Sequence, residues 1–419
     1  MCSRASSTWC TPVTEPSRVT VVGGGVAGLV VARRIALRGH PVDIIEATDR
    51  LGGTVAHRRL GGIDLDAGAE SFAKRGGHVA ALAVELGLGD DIVEPASAGA
   101  WLQPASGPAV PLPATGILGI PGTPLAADVI AVIGMRNALR AQLDAVIPSL
   151  WSRKSESLGQ LVRRRMGRGL FERLVDPVVR GVQSTPADEY PIDRVPGLRA
   201  ALAKEGSLAA AVRLLHDSAP PGSNVAGIRG GVNRLVTELI ADLESLEVGF
   251  EFGRRVASLD ELDGAVVLAT PLAGGGREIV LATLVVESAQ LDAAPRGSGV
   301  LVADGASGVR ARALTHATAK WAWLRERADG RHVLRLSYDV EPENLETTAR
   351  ADAETLLEAR FDDIVDFGRT AWWRPAPAVA PPGVVMVGEA VSGTGLASVV
   401  RQAEDAAAAL IESLDSPEP

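Results

Sequence analysis

Lysine is nearly missing from this chain, with 4 Lys against 38 Arg among its 42 basic residues. Asp and Glu number 51, so the formal net charge is −9. No basic face with interleaved aromatics is available to track a phosphate backbone and stack bases, which argues against DNA or RNA as a partner. The preference for Arg, beside abundant Ala, Gly and Val, reads as a trait of GC-rich coding. Cysteine is scarcer still. Cys2 and Cys10 both lie in a Ser/Thr/Pro-containing tail ahead of the first strand pattern. The body therefore has no thiol for a disulfide, a metal or a nucleophile, and redox work would fall to a bound cofactor. Long apolar runs are also absent. The most apolar stretch, 116–135, is interrupted by Pro121, Pro124 and Asp128, which excludes a membrane span. The first residues lack the basic start and apolar run of a signal peptide. Together these absences point to the cytoplasm, leaving open weak contact with a membrane surface through 116–135. No signal in the sequence specifies an oligomeric state.

What is present suits a folded protein of two or three lobes: 419 residues, 46% hydrophobic and 22% charged. Residues 18–22 form a buried-strand pattern, 26–38 an apolar helix pattern with Gly39 as its stop, and 42–46 a second strand. That is a βαβ unit, and a further helix pattern covers 78–88. A Pro/Gly-rich stretch, 103–124, marks a boundary. From 125 to 215 the pattern is mostly helical, 158–182 above all, with loops at 184–196 and 219–222. The segment GGVNRLVTELIADLESL then opens with two glycines and runs on as a helix, followed by strand-like sequence to 270. Residues 279–338 are rich in strand patterns. VVMVGE and an Ala-rich helix over 395–414 restore the α/β pattern. The expected fold is α/β: a disordered tail, 1–17; a discontinuous Rossmann-like dinucleotide-binding domain of 18–100, 222–275 and 380–415; a helical insertion, 101–221; and a mixed β lobe, 276–379.

Gly23, Gly25 and Gly28 spell GxGxxG directly after a strand and at the opening of a helix. The first permits a tight turn, the second lets the backbone, with Gly24, Val26 and Ala27, approach a pyrophosphate, and the third allows close helix–strand packing. The helix N-terminus adds unpaired N–H groups. Glu46 ends the second strand, 18 residues beyond Gly28, where a carboxylate can accept hydrogen bonds from a ribose and would repel a 2′-phosphate. Beyond it follow Arg50, Gly52 and Gly53. The glycines let the chain pass close to a cofactor, and Arg50 can supply charge-assisted hydrogen bonds. Near the C-terminus, Gly388 and Glu389 end a strand pattern, and Thr394, Gly395 and Leu396 open the last helix. A second helix N-terminus suits a cofactor as long as FAD, stabilising negative charge on a reduced flavin.

The acid followed by Arg and paired glycines resembles the extended motif of the flavin-dependent amine oxidase, phytoene desaturase and protoporphyrinogen oxidase superfamily. Within it the chain is most similar to the bacterial porphyrinogen oxidases. That resemblance rests on DLDAGAESFAKR, AVPLPATGILGIPGTP, SLGQLVRRRMGRGLFERLVDPVVRGV, GGVNRLVTEL and GSGVLVAD with ARALTHATAKWAWL, in the expected order. It covers about three quarters of the chain. GSLAAAVRLL and RGSGVLV look most like the Actinobacterial branch. The resemblance implies FAD against Gly23 to Gly28, Glu46, Ala47, Thr54, Gly68, Ala69, Glu70, Ser71, Val256 and Thr394 to Leu396, with Val256 acting through its backbone. It also implies oxidation of coproporphyrinogen III to coproporphyrin III in haem biosynthesis. Removing six electrons would take three two-electron cycles, with oxygen as acceptor and peroxide as product.

Such a substrate needs orientation and exclusion of water more than an acid–base triad, and none is evident. Its propionates would call for cations. Arg75 is the first candidate, ahead of Arg163, Arg164 and Arg165, which point about 100° apart on a helix. His57, His316 and His332 read as isolated. The chain departs from the family in RTAWWRPAPAVAPPG, which is short, in SYDV where SYGR is usual, and in shortening around 270–278. These departures leave the cofactor half intact and bear on the substrate side. Protoporphyrinogen IX, or an amine or carotenoid precursor, would share the FAD motifs. So would a flavin- or tetrapyrrole-binding chain without turnover.

Overall fold

The computed structural model describes residues 18–416 apart from 98, 114–115, 149–153, 184, 218–223 and 273–274. The expected tail, 1–17, and the expected loop at 219–222 lie outside the described residues. Unbroken runs of Val and Ile build strands buried on both faces, the mark of a parallel sheet covered by helices. Five strands pair in parallel, in the order Gly249–Phe252, Val42–Glu46, Val19–Val22, Ala265–Leu268 and Val385–Met386. Helices Val26–Ala36, Arg234–Ser245 and Leu396–Asp415 supply Leu29, Val30, Leu239, Val400 and Ala403 to the core that includes Val21 and Ile44. The doubly wound Rossmann-like fold therefore draws on three distant stretches of chain. Asp66 ties two of them together: its buried carboxylate accepts from the backbone N–H groups of Val232 (2.9 Å) and Asn233 (2.8 Å).

A seven-stranded sheet stands beside it, in the order Asp363–Pro375, Gly276–Glu287, His332–Tyr338, Ala313–His316, Gly299–Val302, Trp101–Gln103 and Val110–Pro111. Its pairings are antiparallel except that of Gly299–Val302 with Trp101–Gln103. Helix Leu345–Leu357 covers one face through Ala349, Ala353 and Leu356 against Leu284, Leu334 and Leu336. Trp101–Gln103 and Val110–Pro111, assigned by the sequence to the insertion 101–221, are thus strands of this sheet. Cross-strand pairing decides the state of short apolar pieces that lack a helical period.

The remaining helices pack around Leu161, Val162, Leu174, Val179 and Val212. The single helix read over 158–182 is broken at Gly167, whose φ is +93°, and continues through a π-helical turn, Phe171–Val175, into Asp176–Gln183. Among the described residues no helix is long and apolar enough to cross a membrane.

Candidate cofactor and substrate site

The glycine turn follows the end of the first strand, where Gly23 takes a φ of +107°, a region that favours glycine. A Cβ on Gly28 would overlap the Gly23 carbonyl oxygen and lie 3.1 Å from Ala269 Cβ, so this glycine lets the helix close on the sheet. A Cβ on Gly25 would meet nothing within 4 Å, because Gly25 borders open space. Gly24 serves differently, its N–H donating to Glu46 Oε2 at 2.8 Å. Glu46 Oε1 accepts from the Thr48 backbone N–H (2.9 Å) and hydroxyl (2.8 Å). Its carboxylate is thereby fixed at the strand end.

A cavity of about 670 Å³ opens from this turn. Gly23, Gly25, Val26 and Ala27 form its floor, with Glu46, Ala47, Val256 and the following Ala257 around one end. Gly52, Gly53, Thr54, Gly68, Ala69 and Ser71 line a second wall, and Gly388, Glu389, Gly395 and Leu396 a third. Gly24, Gly28, Arg50, Glu70 and Thr394 are not on its surface. Arg50 is exposed, with only a 3.5 Å approach of Nη1 to the Leu51 carbonyl. Thr394 Oγ1 lies 3.3 Å from Gln183 Oε1 on the helical body.

Glu70 is turned aside by two cations. Lys320 Nζ and Arg335 Nη1 each donate to it at 2.7 Å. Burial alone would raise its pKa, but the adjacent Lys320 and Arg335 charges outweigh that and hold it down to about 2. The ion triad fastens the 68–71 wall to the seven-stranded sheet.

Sequence reading missed Arg254, Arg255, Trp372 and Arg374, all on the cavity surface. The last two sit at i and i+2 of strand Asp363–Pro375, and period-two alternation places both on one face. They belong to RTAWWRPAPAVAPPG, so that departure falls on the cavity wall and not on the substrate side alone. Arg374 is mostly buried. Its Nε lies 3.0 Å from Glu389 Oε1, yet among the described residues Nε and Nη1 make no hydrogen bond. Burial lowers its pKa, partly offset by Glu389. An under-satisfied guanidinium, a cradle that a side chain at Gly25 would fill and two helix N-termini together suit a dinucleotide with a pyrophosphate.

Arg75 is exposed and off this surface. Arg163, Arg164 and Arg165 are engaged elsewhere. Arg163 pairs with Asp188, Arg164 Nη1 donates to Ser155 Oγ at 3.1 Å, and Arg165 is buried against Asp144 while donating to the Gly206 carbonyl at 2.7 Å. Nor are the histidines isolated. His57 Nε2 is 2.9 Å from Asp64. His316 Nε2 is 3.1 Å from His332 Nδ1, and His332 Nε2 is 3.3 Å from Asp292. Adjacent strands of the seven-stranded sheet bring His316 and His332 together, a proximity their 16-residue separation hides.

The fold and cavity define a flavoprotein that takes FAD. The chain belongs to the flavin-containing amine oxidoreductase family, whose sequence profile matches residues 26–296. It is 29% identical over 460 aligned positions to coproporphyrinogen III oxidase of Mycobacterium tuberculosis, covering 96% of this chain and 99% of that one. It is 28% identical over 180 positions to protoporphyrinogen oxidase 2 of Arabidopsis thaliana, covering 41% of this chain and 33% of that one. A crystal structure from Exiguobacterium sp. 255-15 superposes with a TM-score of 0.80 at 22% identity, covering 95% and 99% of the two chains.

Proposed function

We propose that this chain oxidises coproporphyrinogen III to coproporphyrin III, with oxygen as the final acceptor and peroxide as the product. The end-to-end similarity to the mycobacterial coproporphyrinogen III oxidase carries this reading, because it spans the helical body and the seven-stranded sheet as well as the cofactor fold. Bound FAD supplies a two-electron acceptor. The chain's own part is to hold that cofactor and to position a macrocycle against it. Gly23, Gly25 and the first helix would hold the pyrophosphate, with Arg374 as a nearby cation. Glu46 would take the adenosine ribose, and Gly395 and Leu396 would face the flavin end. A fixed, water-poor pocket lowers the barrier by orientation and leaves the redox chemistry to the cofactor.

The test has two parts. Protein purified with FAD should lose its yellow absorption anaerobically when given coproporphyrinogen III. In air, kcat/KM for coproporphyrinogen III should exceed that for protoporphyrinogen IX. A value for protoporphyrinogen IX equal or higher refutes the substrate assignment, and FAD-replete protein that oxidises neither refutes the activity.

A further inference from the structure

The last helix opens through the turn Gly393, Thr394, Gly395, and this turn is the seam between the cofactor cavity and the helical body. Gly395 and Leu396 line the cavity, whereas Thr394 meets Gln183 of the helical body. The nearest side chain over Gly393 comes from that body. A Cβ built there would lie 2.7 Å from Arg194 Cζ and 2.9 Å from each terminal nitrogen. The guanidinium therefore rests on bare backbone, in a place that any larger residue would take.

Arg194 is half-buried, and among the described residues its side chain has no hydrogen-bond or ion-pair partner. Most other arginines of the helical body have partners, as Arg163, Arg165, Arg180 and Arg199 do. The neighbouring carboxylate, Asp193, is taken by Arg199 at 2.6 Å. Arg194 is thus a guanidinium without counter-charge at this seam, in a chain of net charge −9. Half-buried cations left without counter-charge favour an anionic ligand group at that point.

We propose that Arg194 binds a carboxylate side chain of the substrate where the helical body meets the turn at the flavin end of the cavity. Arg194 is fixed by its seat on Gly393 and makes the directed contact. This inference rests on the porphyrinogen reading above, and the test separates the two.

The probes are coproporphyrinogen III, its tetramethyl ester and the product coproporphyrin III, the last titrated by quenching of protein fluorescence. Arg194→Ala is expected to raise KM for coproporphyrinogen III about tenfold, with kcat changed less than threefold and FAD content and flavin spectrum unchanged. It should weaken coproporphyrin III binding by the same factor, while the tetramethyl ester shows equal constants for wild type and variant. Arg194→Lys should restore most of the affinity because a charge is returned. Equal KM and equal product binding in wild type and Arg194→Ala overturn the assignment even where wild type is active. An equal loss on acid and ester also overturns it, since that would mark a packing role. Wild type that binds coproporphyrin III without oxidising the porphyrinogen defeats the proposed activity alone, and the binding arm still decides Arg194. Wild type that does neither defeats both.

Discussion

Lowering the pH from 7.5 to 5.0 should destabilise the protein through the buried imidazoles His316 and His332, whose charged forms burial disfavours, and His316 carries the larger effect. His316 is 1% exposed, shares one hydrogen-bond contact with His332, and among the described residues has no partner for Nδ1. Burial, with His332 and Arg325 nearby, lowers its pKa from 6.5 to about 3. The sign follows from proton linkage. The unfolded imidazole takes up a proton below about pH 6.5, and the folded one stays neutral until near pH 3. The stabilisation is therefore complete above pH 6.5 and is lost as the pH falls from there. At pH 5.0 the unfolded state has gained about 1.5 pH units of proton binding, worth roughly 2 kcal/mol at 1.36 kcal/mol per unit. His316→Gln keeps an amide donor for His332 and removes the titration. Urea unfolding at pH 7.5 and 5.0, with FAD saturating, gives the two differences. Wild type should lose about 2 kcal/mol more than the variant across that interval, with similar urea slopes. Equal losses would refute the neutral, buried assignment. The window lies above the range in which Glu70 titrates.

Three further outcomes follow from the same contacts. Gly25→Val should abolish FAD retention with little change in the fold, since its side chain would enter open cavity space; retention of stoichiometric flavin after gel filtration counts against it. Arg374→Ala should weaken FAD at least tenfold, as expected for a charge-assisted hydrogen bond of about 1.5–3 kcal/mol, measured by flavin fluorescence on titration; an unchanged Kd removes Arg374 from the cofactor site. Glu70→Gln should cost about 3 kcal/mol at neutral pH, because Lys320 and Arg335 would lose their shared counter-charge. Since the folded pKa is held near 2 against an ordinary 4.5, that stabilisation is present above about pH 4.5 and fades as the pH falls towards 2, and denaturation at pH 7 and pH 3 would show whether it does.

The cofactor floor was legible because its residues are local in sequence. Strand, glycine turn, helix and acid follow one another within 19–46, and each glycine has a separate steric reason that a spacing rule captures. The strand ends of the parallel sheet were legible for a related reason, since unbroken Val/Ile runs need cover on both faces. Residues defined by pairing were not. Trp101–Gln103 is too short to show a period and becomes a strand only beside Gly299–Val302. Glu70 sits close after Gly68 in a stretch that suits a cofactor wall, yet its direction is set by Lys320 and Arg335, some 250 and 265 positions away. The histidine pair is of the same kind.

The cavity also explains why cofactor and substrate sides cannot be divided along the chain. Its walls come from the 23–27 turn, the 68–71 stretch, Val256, the strand carrying Trp372 and Arg374, and the turn before the last helix. A change in any one reaches the others through the space they share. Strand Asp363–Pro375 pairs along Gly276–Glu287, with one irregularity at Val285 and Val286. The strand itself therefore delivers Trp372 and Arg374 to the cavity, ahead of the short segment that follows it. Shortening that leaves this pairing intact preserves the wall and trims what lies beyond it. The choice among substrates then falls to side chains outside the glycine motifs, above all to cations such as Arg194 that meet the flavin-end turn from the helical body. A chain could keep every FAD motif and exchange substrates by changing those few positions, which is why motif content alone fixes the cofactor but not the molecule oxidised.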